Sequence, residues 1–440
     1  MLGQNILILG FGREGVATLK YLLSQNHLPS NITIYDHHSL QDLSSLAQDI
    51  ISHNPELILY LGVELSNLNL NSYSSIIKSP GIPNQELPSS IISKLTSATQ
   101  LFFDLCPAII IGVTGTKGKS TTSSLIYSVC RADDRNTILV GNIGRPALDH
   151  LADISKDSVV VFELSSHQLS HLTKSPHIAV ILGIFPEHLD YYQNMDEYVR
   201  AKGNITKFQS KRDYLVYNAE NNYSAKLATS SASQLVPITK SDVNNAKIII
   251  QKSHLQGDMN AINIAAALKV SEILSIDSQV AQKAIIDFVP LEHRLQNIGK
   301  YKGIVFYNDS LSTIPQAAIA ALDTLGNSVS TIILGGFERN LSYLDLAKNI
   351  LKRKALRNLI FFPTTGEKIW EEIIHLDSSA QKRFNIIFVD NMKDAVNFAF
   401  QYTRDGEICL LSPGATSFSS FKDYRDRGNQ FREQVQKLST

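Results

Sequence analysis

Short apolar runs rich in valine, isoleucine and leucine alternate along the chain with longer stretches in which apolar residues recur every three or four positions. The continuous runs read as strands buried on both faces, and the longer period reads as amphipathic helices covering them. Strand and helix in regular alternation predict an α/β fold with mainly parallel sheets. Three blocks carry the pattern. The first has strands at Ile6 to Leu9, Ile32 to Tyr35, Leu57 to Leu61 and Ser75 to Lys78, a helix near Val16 to Ser24 and another near Leu87 to Thr96. The second has strands at Ala108 to Val113, Thr137 to Val140, Val159 to Leu164, Ile178 to Leu182 and Tyr214 to Tyr217, and a helix around Asn260 to Val270. The third begins after Gly299, with strands near Ile304 to Tyr307, Thr331 to Leu334, Leu359 to Phe362, Ile386 to Val389 and Ile408 to Leu411, and a last helix to about Leu438. The serine-rich stretches LSSLAQ (Leu43 to Gln48) and ATSSASQ (Ala228 to Gln234) read as solvated loops.

Length agrees with the three blocks: 440 residues exceed one core, at roughly 150 residues per domain. The expected domains are 1–100, 101–298 and 299–440, a Rossmann-like domain, a central P-loop ATPase-like domain and a second Rossmann-like domain. The 41 basic and 41 acidic residues cancel without a long run of either sign, which argues against nucleic-acid or membrane-surface partners and leaves small molecules. Cys106, Cys130 and Cys409 lie far apart in apolar surroundings, as free thiols of a reducing compartment do. The apolar start MLGQNILILGFG lacks a charged leader, and its glycines fall where a strand turns into a helix, so a cytoplasmic protein without a spanning helix is expected.

Candidate chemistry begins at GVTGTKGKST, residues 112–121. Gly115, Thr116, Lys117, Gly118, Lys119, Ser120 and Thr121 sit between a predicted strand and a predicted helix, where successive N–H groups and the helix N-terminus converge on an anion. Lys119 is placed to neutralise the outer phosphates of a nucleoside triphosphate, and Ser120 to put its hydroxyl on a magnesium ion. The strict pattern GxxxxGK[ST] requires glycine where Val113 stands, so the match is to the variant GTxGK[ST]T. Such a loop leaves ATPase, kinase and ligase open. Three residues follow it in chain order: Glu163 at the end of VVVFEL, His188 within PEHLDYY and Lys202 within EYVRAKGNI. Singly they read as a solvated strand end, a loop histidine and a surface cation; together behind one phosphate loop they point to a metal-assisted site. Separately, Gly10, Gly12 and Gly15 form GxGxxG, with Asp36 ending the next strand, which alone suggests dinucleotide binding.

These segments resemble the Mur ligases, the ATP-dependent amide-forming enzymes of bacterial cell wall precursor synthesis. The likeness extends over nearly the whole chain, through GTKGKST, ELSSHQL (Glu163 to Leu169), HLD (His188 to Asp190), AK (Ala201, Lys202), DMNAINIAAA (Asp258 to Ala267), EHRLQ (Glu292 to Gln296) and NDS (Asn308 to Ser310). The resemblance implies ATP held by Lys119 and Ser120 with its adenine near Asn260, and Arg294 and Asp309 acting on the nucleotide. It implies magnesium on Ser120, Glu163 and His188, and carbamylation of Lys202 into an anionic oxygen ligand. The ends of the chain look like the glutamate-adding branch, in which the Rossmann-like frame (Gly10, Gly12, Gly15, Asp36) takes the UDP part of UDP-N-acetylmuramoyl-L-alanine. Ser79, Pro80, Gly81 and Asn142 match further positions for that substrate, and Thr313, Arg339, Ser417 and Tyr424 match positions for glutamate. A monomer acting on small molecules is the expectation.

The chain departs from the family at Leu311 and Ile314, in NDSLSTIPQAA, where a charged and a polar residue are usual. Met259 and Gly183 also replace a histidine and an asparagine. Leu311 donates no hydrogen bond, so D-glutamate and L-glutamate both stand as acceptors. In either case ATP would convert the substrate carboxylate to an acyl phosphate, which the glutamate amine attacks. Other acceptors within the family, folylpolyglutamate synthase, a dinucleotide-dependent oxidoreductase and a non-catalytic nucleotide-binding regulator are the alternatives; the oxidoreductase leaves the phosphate loop unexplained.

Overall fold

The computed structural model describes residues 3–25, 31–83, 85, 87–141, 145–186, 191–255, 258–289, 292–338, 341–418 and 420–439. Three sheets organise them. The first contains β1 (Asn5–Leu9), β2 (Asn31–Asp36), β3 (Ile58–Leu61), β4 (Ser75–Lys78) and β5 (Leu95–Thr96), all parallel, in the order β3-β2-β1-β4-β5. The second contains β6 (Ile109–Thr114), β7 (Thr137–Gly141), β8 (Val159–Glu163), β9 (Ile178–Ile181), β10 (Tyr214–Asn218) and β11 (Gln234–Ile238), also parallel, in the order β11-β10-β9-β6-β8-β7. The third contains β12 (Gln296–Tyr301), β13 (Ile304–Asn308), β14 (Val329–Gly335), β15 (Asn358–Phe362), β16 (Asn385–Phe388) and β17 (Ile408–Leu411). Its order is β12-β13-β17-β14-β15-β16, with β12 antiparallel to β13 and the others parallel. The α/β class and the mainly parallel sheets expected from the sequence are present.

The chain gathers into two compact units, residues 1–288 and 289–440, and the first of them holds two sheets. One continuous apolar core explains that grouping. It runs from Ile6 and Leu19 beside β1 to Val160 and Phe162 of β8. The helix Ala98–Leu105 joins the two sheets: Phe102 meets Phe162 edge-on at 5.5 Å between ring centres, and Phe103 lies 5.8 Å from it.

Two local expectations are corrected. The helix expected near Leu87 to Thr96 is a short 3-10 helix, Ser89–Lys94, followed by β5; the α-helix starts at Ala98, because Ser97 caps it by accepting from the Gln100 N–H. The serine-rich stretch expected to be a loop at Leu43 to Gln48 instead opens the helix Ser45–Ser52, where Ser44 accepts from the Ala47 N–H. Among the described residues no helix is long and apolar enough to cross a membrane, and the three cysteines are free.

Truncating Phe162 to alanine is expected to cost the first unit about 3–5 kcal/mol, as for other buried aromatic truncations. The single tryptophan, Trp370, reports on the second unit. Its fluorescence transition should stay where it was while the circular-dichroism transition of the first unit moves down; a joint shift would show that the units unfold together.

Candidate active site

Parallel strands place the loops that follow them along one edge of each sheet, and Gly10, Asp36, Ser79, Gly115, Glu163 and Asp309 lie at such strand ends. β6 ends at Thr114, and the chain then turns through Gly115 (φ +152°) and Gly118 (φ +87°) into the helix Lys119–Ala132. Gly118 is left-handed and crowded: a Cβ there would meet Asn263 Oδ1 at 2.3 Å. The same Asn263 oxygen accepts from the Thr122 hydroxyl at 3.1 Å, and its amide donates to Asn260 Oδ1 at 2.8 Å. Asn260 is thereby tied to the first turns of the loop's helix.

Two lysines converge on the loop. Lys119 Nζ donates to the carbonyls of Gly115 (3.0 Å) and Thr116 (2.9 Å), and Lys202 Nζ donates to the same Gly115 carbonyl at 2.8 Å. Lys202 comes from the helix Met195–Lys207, is buried, and lies over the Tyr198 ring at 4.8 Å. Thr116 is fixed between them: its hydroxyl accepts from the Phe185 N–H and shares a 3.1 Å hydrogen bond with Tyr198. Glu163 ends the neighbouring strand β8, paired in register with Val113 on one side and Gly141 on the other. Its side chain is buried, and Oε2 has no hydrogen-bond partner among the described residues. Such an oxygen is expensive to leave empty and suits a cation. Ser120, one residue into the helix, is buried as well.

A cleft of ≈ 350 Å³ is lined by Lys119, Lys202, Ser165, His167, Tyr191 and Tyr198 from the second sheet's layer, and by Glu14, Pro80 and Gly81 from the first. The Tyr191 hydroxyl donates to the carbonyls of Pro80 (3.3 Å) and Ile82 (3.0 Å), holding the loop after β4 against the phosphate-loop side. Glu14 accepts from the Gln168 amide at 2.7 Å. Gln168 in turn forms a capping box with Ser165, two residues after Glu163.

In the first sheet, Gly10 (φ +94°) turns the chain out of β1, and Gly15 admits its helix to the turn, since a Cβ there would lie 2.4 Å from the Gly10 carbonyl. Gly12 faces open space. Asp36 braces this turn from the end of β2: Oδ2 accepts from the Phe11 N–H at 2.6 Å and Oδ1 from the His38 N–H at 3.0 Å. Burial acts to raise the Asp36 pKa, but the N–H groups of His38 and Phe11, with the His38 ring and the nearby His37, together outweigh it and hold the carboxyl below its ordinary value. Ser79 donates its N–H to the Leu9 carbonyl at 2.8 Å, which seats the Ser79, Pro80 and Gly81 loop beside Gly10.

The second unit builds its own cluster. Asp309 follows β13 and accepts from the Leu295 N–H (2.9 Å) and the Ser412 hydroxyl (2.7 Å). Burial pushes its pKa up to about 6, against the pull of those donors and of Arg294. Arg427, fully buried, ties Ser310 (Nε to Oγ, 3.0 Å; Nη2 to O, 2.9 Å) to the Ala415 carbonyl (3.1 Å). The Ser310 hydroxyl donates to the Tyr424 carbonyl at 2.7 Å, and the Gly414 N–H to the Ser312 carbonyl at 2.9 Å. These bonds draw together the segments that carry Thr313, Ser417 and Tyr424.

Residues 113–280 match the model of the Mur ligase middle domain. That stretch is similar to the middle domain of Mur ligases. The chain is similar to the UDP-N-acetylmuramoylalanine--D-glutamate ligase of Acetivibrio thermocellus, at 29% identity over 99% of this chain and 97% of that one. Among solved structures it is similar to the UDP-N-acetylmuramate-alanine ligase MurC of Thermotoga maritima (15% identity, 99% of each chain, TM-score 0.56). It is also similar to the MurF ligase of Thermotoga maritima in complex with ADP (15% identity, 89% of this chain and 92% of that one, TM-score 0.55). At those identities the structures attest the fold.

Within the first unit, then, Lys119, Lys202, Glu163 and Ser120 surround the phosphate loop, with Gly10, Gly15, Asp36 and Ser79 to Gly81 on the first sheet's edge. Arg294, Asp309, Thr313, Ser417 and Tyr424 belong to the second unit. Asn142, His188 and Arg339 lie outside the described residues. Sequence reasoning passed over Tyr191, Tyr198, Glu14 and Gln168. Tyr191 stood within the quoted PEHLDYY and Gln168 within ELSSHQL, but only the packing of one sheet's loops on the other gives them partners.

Asp309 yields a pH prediction. A carboxyl whose pKa is raised on folding stabilises the fold fully below the unfolded value and loses that contribution as pH rises through the folded one. With an ordinary value of 3.8 and a folded value of about 6, the second unit should lose up to roughly 2–3 kcal/mol relative to Asp309→Asn between about pH 4 and pH 6. Trp370-detected unfolding across that range measures it; parallel pH curves for the two proteins would refute the burial effect.

Proposed function

We propose that this chain is a Mur ligase that joins glutamate to UDP-N-acetylmuramoyl-L-alanine, driven by ATP and passing through an acyl phosphate. The observation that carries the reading is the meeting of Lys119 and Lys202 on the Gly115 carbonyl, one strand from the open oxygen of Glu163. Two ammonium groups on one carbonyl oppose each other; in carbamylation Lys202 loses a proton, its neutral amine adds carbon dioxide and gives up a second proton, and one cation becomes an anionic carbamate. Lys119 then neutralises the transferred phosphate, and the loop's N–H groups and helix N-terminus hold it in line. Ser120, Glu163 and carbamylated Lys202 would hold magnesium, which supplies charge neutralisation between the phosphate and the substrate carboxylate. Glu163 fits that role by its open buried oxygen; His188 joins the proposed set from its sequence position.

The first sheet's glycine turn takes the UDP part, and the Ser79 to Gly81 loop, held by Tyr191, closes the cleft over the alanyl arm. The alanyl carboxylate meets the terminal phosphate near Lys119 and Lys202. Thr313, Ser417, Tyr424 and Arg339 receive glutamate, whose neutral amine attacks the acyl phosphate and releases phosphate. Asn260, Arg294 and Asp309 serve the nucleotide. The name of the Acetivibrio relative favours D-glutamate as acceptor. Leu311, which offers no polar contact, keeps L-glutamate in the test.

Phosphate release from ATP is expected with UDP-N-acetylmuramoyl-L-alanine and D-glutamate, with the amide product identified by mass. Lys119→Ala and Glu163→Gln should each lower kcat at least about 100-fold, the scale of losing one charge-stabilising contact at a transferring group. Turnover with L-glutamate alone would reverse the choice of enantiomer. Release with neither enantiomer would sink the glutamate reading.

A further inference from the structure

Behind the Glu14 and Gln168 hydrogen bond lies a second cavity, of ≈ 180 Å³. Glu14 and Gln168 line both this cavity and the cleft that holds Lys119 and Lys202, so the two spaces adjoin at this pair. The inner walls are apolar and small: Ala17 from the helix Arg13–Leu23, Ala98 from the helix Ala98–Leu105, and Ala147 and Leu148 beyond β7. Two polar atoms there are buried without a hydrogen-bond partner among the described residues, Glu14 Oε2 and Thr99 Oγ1. Native structures usually give such buried atoms a partner. The space admits a group of a few heavy atoms, at about 30 Å³ for each water-sized part.

The lining defines the chemistry of an occupant. It needs an apolar end for the alanines, an acceptor for the Thr99 hydroxyl and a donor for Glu14 Oε2. Burial raises the Glu14 pKa from its ordinary value, so an anionic occupant is disfavoured beside a carboxyl that already resists its own charge. The other charged neighbour, Arg13, is exposed.

We propose that this cavity is the subsite for the acetamido group of the sugar in a UDP-N-acetylmuramoyl substrate, an inference that rests on the function proposed above. In muramic acid the acetamido nitrogen and the lactyl ether oxygen are borne by adjacent ring carbons. When the lactyl-alanyl arm runs toward Lys119 and Lys202, the acetamido group falls toward the adjoining space. Its methyl packs on Ala17, Ala98, Ala147 and Leu148, its oxygen accepts from Thr99, and its N–H donates to Glu14 Oε2. Glu14 Oε1 remains with Gln168, so the carboxyl that seats the sugar also holds the segment following Glu163.

The test is calorimetric binding of UDP-N-acetylmuramoyl-L-alanine, and of its analogue with a hydroxyl in place of the acetamido group, to the full chain. Wild type should prefer the acetamido compound by about tenfold or more, the scale of a lost buried hydrogen bond plus apolar contact. Thr99→Val should remove most of that preference and leave the affinities for the hydroxyl analogue and for ATP unchanged. Ala17→Leu, which fills the cavity, should act the same way and guards against a silent valine. Equal affinities in wild type, or variants that weaken both compounds alike, would show a water-filled cavity and overturn the subsite alone. Binding of neither compound to wild type would overturn the underlying function, and the subsite with it.

Discussion

The Gly115 carbonyl is the point on which the rest of the first unit's site depends. Two lysines from different elements reach it, and both positions follow from how β6 ends. A side chain at Gly115 would press on Leu182 Cβ at 2.8 Å, and one at Gly118 on Asn263, so only glycine lets the loop lie close against the neighbouring layer. Because the loop lies close, its carbonyl comes within reach of a lysine on the helix Met195–Lys207. That helix is anchored in turn by Tyr198, which shares the Thr116 hydroxyl. On the proposed function, the loop would carry the phosphate chemistry and position the residue that would complete a metal site.

The same economy shows where the two sheets of the first unit meet. Tyr191, after β9, bonds the loop after β4, and Gln168, after β8, bonds Glu14 at the start of the helix that follows the glycine turn, so the two sheets are tied at two separate places. Gln168 caps the short helix next to Glu163. A shift of the glycine turn would disturb Gln168 before it disturbed any residue of the phosphate loop. The aromatic contact of Phe102 and Phe103 with Phe162 opposes such a shift, because it ties the sheets together through apolar burial as well as polar bonds.

What the sequence disclosed follows from locality. The phosphate loop, the glycine turn and the strand-end Glu163 are legible because each is set by a few neighbouring residues and by the rule that parallel strands place their following loops on one edge. The central strands are legible because burial on both faces makes them continuously apolar. β11 and β12 escaped notice for the converse reason: they are edge strands, largely exposed or half-buried, and lack that pattern. The helix expected at Leu87 to Thr96 began later because the single cap Ser97 outweighed the apolar period before it. Glu14 and Gln168, 154 positions apart, carry no joint signal in the sequence. Neither does Thr99, whose significance comes only from the cavity it faces.

The second unit shows why a buried charge is retained when an apolar side chain would fill the space more cheaply. A fully buried guanidinium is disfavoured by burial, and Arg427 has its pKa lowered on that account, with Asp309 acting in the opposite sense. No hydrocarbon could replace what it does: one planar group donates to Ser310 twice and to Ala415 once, fixing two chain segments at a set separation. Those segments carry Thr313 on one side and Ser417 on the other, two of the residues proposed to receive glutamate. Leu311 sits in the same stretch, its N–H bound to the His293 carbonyl, so its backbone is fixed even though its side chain offers no polar contact. On the proposed function, specificity for the acceptor would rest on groups that Arg427 positions, which makes the buried arginine the constraint on the second unit that the Gly115 carbonyl is on the first.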